Sequence, residues 1–297
     1  MRPLLPAGLW RRARLVLSRR AWRHRLVFWG GGLAIGIAAV ALAIAADYVQ
    51  AWFRRVVGYS PYLALVITPA GLALSVALAR RYFPGSQGSG IPQAIAARRL
   101  TETAARTRLL SLRLAAGKIV LTLLGLLAGA SAGREGPTVQ VGASVMHAVG
   151  GVWSGRYPGL IVAGSAAGVA AAFNTPLAGI VFAIEEMSRS FEQRTSGLVV
   201  TTVIIAGMAS LALLGNYTYF GHTAASLGRL QDWAAVPLCG VAGGLLGALF
   251  SQLVVAFARG FPGRGGRALH HHPVLFAALC GLLVAVIEGR LFLFFRR

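Results

Sequence analysis

Arginine and glutamate side by side, with apolar sequence on both sides, are the first residues in this chain that could do chemistry. Arg134 and Glu135 sit in Gly133-Arg134-Glu135-Gly136-Pro137-Thr138-Val139-Gln140, between the apolar runs 119–132 and 139–152. An ionisable residue near the middle of a bilayer costs about 2.5–3.5 kcal/mol even on the lenient insertion scale, so the pair reads as functional. Gly133 and Gly136 interrupt a helix and let backbone approach a ligand. Pro137 suits the first turn of a new helix, where its missing N–H is not needed. A helix starting there aims unpaired amides, and about half a positive charge, into the membrane interior. That combination binds anions. Ionised, Glu135 competes for such a site; protonated, it is released from it, so one residue serves as both gate and proton carrier. The plainer alternative is that Glu135 caps the helix and Arg134 neutralises it.

Two further stretches carry unusual chemistry. Residues 84–92, Pro-Gly-Ser-Gln-Gly-Ser-Gly-Ile-Pro, are too rich in glycine and proline to continue a helix. The run 94–105 after them is long enough to restart one but too short to cross. Broken segments of this kind inside a membrane line a cavity. The run 160–173 is rich in alanine and glycine, which lets helices pack closely. Asn174-Thr175-Pro176 breaks it, and residues 177–187 resume the helix, ending in Glu185-Glu186-Met187 ahead of Arg189 and Arg194. Adjacent carboxylates on a helix point about 100° apart, so only one of the pair faces the interior. Lys118, the only lysine, snorkels if it lies at a helix end and adds positive potential to an anion path if it lies deeper. His270-His271-His272 has no nearby partner histidine or cysteine and reads as a solvated loop. Cys239 and Cys280 lie in separate apolar segments and read as small core residues.

The elements that must position these groups are membrane spans. Of 297 residues 56% are hydrophobic and only 12% charged, about half the charged share of a soluble domain. Residues 26–46 are uncharged and long enough to cross. No small-residue cleavage site follows, so a retained first helix is expected. Residues 47–60 read as a mixed loop carrying Arg54 and Arg55, and further spans are expected at 62–79, 114–132, 201–214, 234–258 and from 273 to 287. The net charge of +21 comes from 29 basic and 8 acidic residues. Nucleic-acid binding is set aside because the basic residues flank apolar runs, as the positive-inside rule expects. The seven arginines between 11 and 25 place the N-terminus in the cytoplasm, with anionic lipid as partner of that arm. An intramembrane serine protease would need a facing Ser and His; Ser165 is available, but neither His147 nor His222 has an evident pairing with it.

Taken together, Gly88-Ser89-Gly90-Ile91-Pro92, Gly133-Arg134-Glu135-Gly136-Pro137, and Ala172-Phe173-Asn174-Thr175-Pro176-Leu177-Ala178-Gly179 leading to Glu185-Glu186-Met187 resemble the CLC family of chloride channels and proton-coupled chloride exchangers. The resemblance implies an all-α polytopic fold of inverted repeats with broken half-helices at Pro92, Pro137 and Pro176. It implies that Ser89 offers its hydroxyl to a central chloride, in a loop shaped by Gly88, Gly90 and Ile91. Glu135 matches the external gating glutamate, with amides around Gly133, Arg134, Gly136 and Pro137 forming the outer anion site. Glu186 matches the internal proton-transfer glutamate, which favours exchange over a passive channel. Ser89 favours chloride over the fluoride-exporting branch, and Lys118 falls where the family carries a lysine.

There are departures. Gln93 stands where many relatives carry glutamate, and no Gly-x-Phe-x-Pro loop or late tyrosine of a second half is found in the sequence. The expected organisation is a basic arm over 1–25, a first repeat over 26–216, and the incomplete start of a second over 217–297. The expected function is proton-coupled chloride exchange without cofactor, metal or enzymatic activity, with a passive channel or a non-transporting remnant as alternatives. Relatives are dimers; with part of the dimer face in the second half, weak or absent dimerisation is expected. The expected location is a bacterial inner membrane.

Overall fold

The computed structural model describes residues 18–153, 157–188, 196–215, 228–229, 233–259 and 271–295. Arg11, Arg12, Arg14, Arg189, Arg194, His222 and His270 lie outside them. The described residues form helices α1 (Arg19–Tyr59), α2 (Ala64–Tyr82), α3 (Ile91–Arg99), α4 (Thr103–Leu109), α5 (Leu112–Leu127), α6 (Glu135–Trp153), α7 (Tyr157–Phe173), α8 (Pro176–Phe182), α9 (Ser196–Leu214), α10 (Ala235–Arg259) and α11 (Pro273–Phe295). Among them, five helical stretches are long and apolar enough to cross a membrane: Trp22–Tyr59, Pro61–Tyr82, Thr103–Leu127, Gly197–Leu214 and Ala235–Ala256.

Several boundaries differ from the sequence reading; the expected span 114–132 ends as a helix at Leu127, and that expected at 201–214 begins at Ser196. The expected loop 47–60 is helical, and α1 runs unbroken for 41 residues. Its polar residues Asp47, Gln50, Arg54 and Arg55 fall among apolar neighbours with no Gly-Pro punctuation until Gly58, so nothing breaks the turn-to-turn hydrogen bonding. The expected single helix 94–105 is two, α3 and α4. Leu100 and Glu102 adopt extended backbone, and each helix carries arginines in its last turn, Arg98 and Arg99 then Arg106 and Arg108, where cations suit the carbonyl end. Helix α6 begins at Glu135, two residues ahead of Pro137. The breaks at Pro92 and Pro176 fall as expected, with both prolines in the first turn of a helix.

Helix α7 is the centre of the bundle. Ala163, Ala166, Ala167 and Ala170 are fully buried, as are Leu160 and Ile161, and α6, α9, α1 and α8 pack around them. Small residues permit this closeness. A Cβ on Gly142 of α6 would run into the Gly164 carbonyl of α7, and one on Gly164 into the Gly142 carbonyl. Likewise Gly32 and Gly36 of α1 leave only 2.8 Å between an added Cβ and the carbonyls of Thr202 and Ala206 on α9. Apolar helices gain no hydrophobic drive from leaving lipid for one another, so close backbone contact is what holds such a bundle. Helix α11 lies on α2, with Gly281 against Thr68 and Pro69. Helix α10 keeps its described side chains exposed throughout residues 235–256.

Candidate functional site

The site is made by two interruptions in helices. The chain leaves α2 at Phe83 and turns through Gly85, Gly88 and Gly90, all at positive φ (99°, 72° and 101°), before α3 starts at Ile91. The loop is stitched to itself: Ser86 Oγ donates to the Phe83 carbonyl at 2.7 Å, the Gly85 amide to Gln87 Oε1 at 2.9 Å, and Gln93 Nε2 to the Gln87 carbonyl at 2.5 Å. The second interruption runs from Gly129, also at positive φ, through Arg134 to the start of α6. There Thr138 Oγ1 donates to the Glu135 carbonyl at 2.6 Å, closing the first turn.

The two interruptions meet. A Cβ placed on Gly136 would lie 2.8 Å from the Ser89 carbonyl oxygen and 3.0 Å from Ser89 Cβ. One placed on Gly90 would lie 2.7 Å from Gln140 Cβ and 3.2 Å from the Gly136 carbonyl. Gly88–Pro92 and Gly133–Pro137 therefore abut, bringing together the starts of α3 and α6 and their positive dipole ends. Of the first three residues of α6, Glu135 and Gly136 carry amides and Pro137 does not. A helix start of this kind is where N–H groups and the positive dipole end can face an anion. Ser89 is exposed and Glu135 partly so, consistent with an opening onto this junction. The Glu135 carboxylate lies against Gly133, where an added Cβ would overlap Oε2.

Three polar side chains hold the junction. Lys118, only 3% exposed on α5, donates from Nζ to the carbonyls of Ser86 at 2.7 Å and Gly88 at 2.5 Å. It does not snorkel; it lies under the serine loop and supports it. Gln140, fully buried on α6, donates from Nε2 to the carbonyls of Gly85 at 3.2 Å and Leu109 at 3.1 Å. Arg134 donates from Nη1 to the Ala43 carbonyl and to Asp47 Oδ1, both at 3.1 Å, and so fastens the glutamate loop to α1. Sequence reading missed Gln140 and Asp47 as site residues. A glutamine alone in the apolar run after Pro137 was the available signal for the first; Asp47 gave none, because its partner is 87 residues away.

Glu186 lies elsewhere, in a π-helical turn, Ala183–Ser188, that continues α8. The sequence reading turned one of the two carboxylates inward. In the structure Glu185 and Glu186 are both exposed and Met187 is the buried residue of the turn. Widening the helix changes the angular spacing on which the sequence reading relied. Arg98, in the last turn of α3, donates to the Met187 carbonyl. One short helix thus has Ser89 just before its start and the turn carrying Glu186 against its end.

Membrane-crossing helices combined with short helices that begin inside the bundle, two of them abutting at their positive ends, define a polytopic integral membrane protein. Residues 70–296 match the family described as voltage gated chloride channel, and the chain belongs to that family. It is 31% identical over 279 residues to the H(+)/Cl(-) exchange transporter ClcA of Yersinia pestis bv. Antiqua (strain Angola), and equally so to that of Yersinia pseudotuberculosis serotype O:3. Those alignments cover 87% of this chain and 56% of each relative, so the chain spans little more than half their length. The fold is similar to that of a slow cyanobacterial Cl-/H+ antiporter, with TM-score 0.72 and 24% identity over 90% of this chain and 64% of that one. A CLC-type fluoride/proton antiporter gives TM-score 0.72 and 22% identity over 92% of this chain and 68% of that one.

Proposed function

We propose that this chain carries the anion-binding and proton-transfer elements of a proton-coupled chloride exchanger. The observation that supports it most is the abutment of Gly88–Pro92 on Gly133–Pro137, with Glu135 in the first turn of α6. An anion at that junction would meet the Ser89 hydroxyl, amides of Gly133, Arg134 and Gly136, and the dipole ends of α3 and α6, with Gly88, Gly90, Ile91 and Pro92 setting the loop's shape. The Glu135 carboxylate belongs to the same place, so chloride occupancy and an ionised Glu135 oppose each other. Protonation of Glu135 then frees the path. Glu186, on a separate turn, receives protons from the opposite side and passes them inward. The relatives named as H(+)/Cl(-) exchangers support chloride and protons as the transported species.

The remaining assignments follow the same reading. Residues 26–216 form a first repeat and 217–297 the beginning of a second; the N-terminal arm, 1–25, faces the cytoplasm and anionic lipid of a bacterial inner membrane. Since a chloride site in an inverted-repeat transporter lies between repeats, the chain alone binds halide weakly; with part of the dimer face in the second half, it dimerises weakly or not at all.

The test is paired measurement of chloride and proton movement in proteoliposomes, for the chain alone and with a polypeptide supplying the second repeat of a relative. Glu135→Gln should keep chloride flux, lose proton flux and lose the pH dependence of chloride flux. Glu186→Gln should keep the anion path and its pH dependence while blocking proton entry. Uphill proton movement surviving in Glu186→Gln would remove that residue from the path. A chloride current that ignores the pH gradient in the unaltered chain would identify a passive channel instead.

A further inference from the structure

Glu288 is an ionisable residue with no part in the reading above. Glu288 closes the apolar run of α11, in Ile287-Glu288-Gly289. It is half-buried. A carboxylate at the end of such a run is costly and marks function in the absence of a structural use.

Its surroundings supply a use. Glu288 lines an open cleft of about 460 Å³ together with Gln50, Phe53 and Arg54 of α1 and the backbone stretch that ends in Ser131 and Gly133. A space of this size holds several waters, since about 10–15 Å³ suffices for one. The lining is polar where it matters: an amide, a guanidinium, a hydroxyl and a carboxylate offer such waters the partners they need. Gly133 is the link to the gate. It borders the cleft, and the Glu135 carboxylate lies directly against it, so close that an added Cβ would overlap the carboxylate oxygen. At Gly133 itself no side chain stands between the cleft and that carboxylate. Of the residues lining the cleft, Arg54 and Glu288 are the charged ones. Arg54 lies across the cleft on α1. Helix α2, against which α11 packs, is uncharged from 64 to 79 and carries Arg80 and Arg81 only in its last turn. Arg134 is directed to Ala43 and Asp47 on α1.

We propose that Glu288 is a second proton-exchanging carboxylate, which passes protons through the cleft to and from Glu135. The proposal rests on the exchanger reading above and adds to it a carrier on the Glu135 side. A protonated Glu288 gives its proton to cleft water, a proton from that water chain reaches the Glu135 carboxylate, and bulk water on the cleft side reprotonates Glu288. Each transfer breaks one O–H bond and forms one, so no other reactant is needed. Arg54 keeps the ionised state of Glu288 tolerable between transfers.

The test uses the proteoliposome assay with Glu288→Gln, Glu288→Asp and Glu135→Gln. Proton flux in Glu288→Gln should fall on the order of tenfold, less than the roughly hundredfold that a positioned acid–base group typically supplies because cleft water still conducts. Glu288→Asp should recover most of it, and so should a small membrane-impermeant weak acid added on the cleft side to Glu288→Gln. Neither of these would rescue a mere packing defect. Proton flux in Glu288→Gln equal to that of the unaltered protein, with Glu135→Gln still blocking it, would overturn the relay and leave the exchanger reading standing. No proton flux in the unaltered protein, with or without the second repeat, would overturn both. Independently of transport, Glu288→Cys in a Cys239→Ser, Cys280→Ser background should react with a charged methanethiosulfonate reagent from one side of the membrane only. Failure to react from either side would show that the cleft is closed to water and would overturn the relay.

Discussion

Replacing Lys118 by methionine keeps the length of the side chain and removes its charge and its three donors. Two effects oppose each other. Lys118 is 3% exposed, and freeing the protein from burying its charge recovers several kcal/mol. Against this, two bonds from a charged donor to the Ser86 and Gly88 carbonyls are lost, at about 1.5–3 kcal/mol each. These terms nearly cancel, so the orphaned acceptors decide the sign. Gly88 is exposed and water replaces Lys118 there, whereas Ser86 is buried, and its carbonyl loses a partner at a cost of about 1–3 kcal/mol. A net destabilisation of about 1–3 kcal/mol is expected, concentrated in residues 83–90. Equilibrium unfolding in mixed micelles, read by circular dichroism, measures the total. Amide exchange locates it, with protection near 86–90 falling roughly fivefold to a hundredfold as local opening becomes easier. Lys118→Arg, which keeps charge and donors, should lose less. A Lys118→Met chain as stable as the original, with unchanged exchange at 86–90, would refute the idea that the ammonium supports the serine loop.

Two further substitutions test the junction. Gly136→Ala should raise helix propensity by about 1 kcal/mol and still destabilise, because its Cβ would lie 2.8 Å from the Ser89 carbonyl and overpacking costs about 1–3 kcal/mol; a raised melting temperature would show that the two loops yield to each other freely. Arg98→Met removes the donor to the Met187 carbonyl. Amide exchange in residues 183–188 should speed up while the start of α3 is unaffected, and unchanged exchange there would mean the turn carrying Glu186 holds itself.

Much of this protein is legible from residue types alone, for a physical reason. Long uncharged runs must cross a bilayer, Gly-Pro clusters must break helices, and a charged pair among apolar residues must be used, since each rule is enforced by local backbone chemistry or by transfer from water. Hence the breaks at Pro92 and Pro176, the helix start near Pro137 and the close packing of 160–173 follow from local pattern, while the family follows from the resemblance of the three motifs to known sequences. What depends on pairs distant in sequence did not. The approach of Gly88–Pro92 to Gly133–Pro137 is the exception, expected from the family resemblance and found; that Lys118 holds the loop from beneath, that Arg134 turns to Asp47, and that Glu288 shares a cleft with Gly133 are matters of how helices pack, and nothing in either member of each pair encodes the other. The turn at Glu185-Glu186 shows the same limit on a smaller scale: its spacing was read as an α-helix, and tertiary contacts, with Arg98 on the Met187 carbonyl, accompany a wider π turn that leaves both carboxylates exposed.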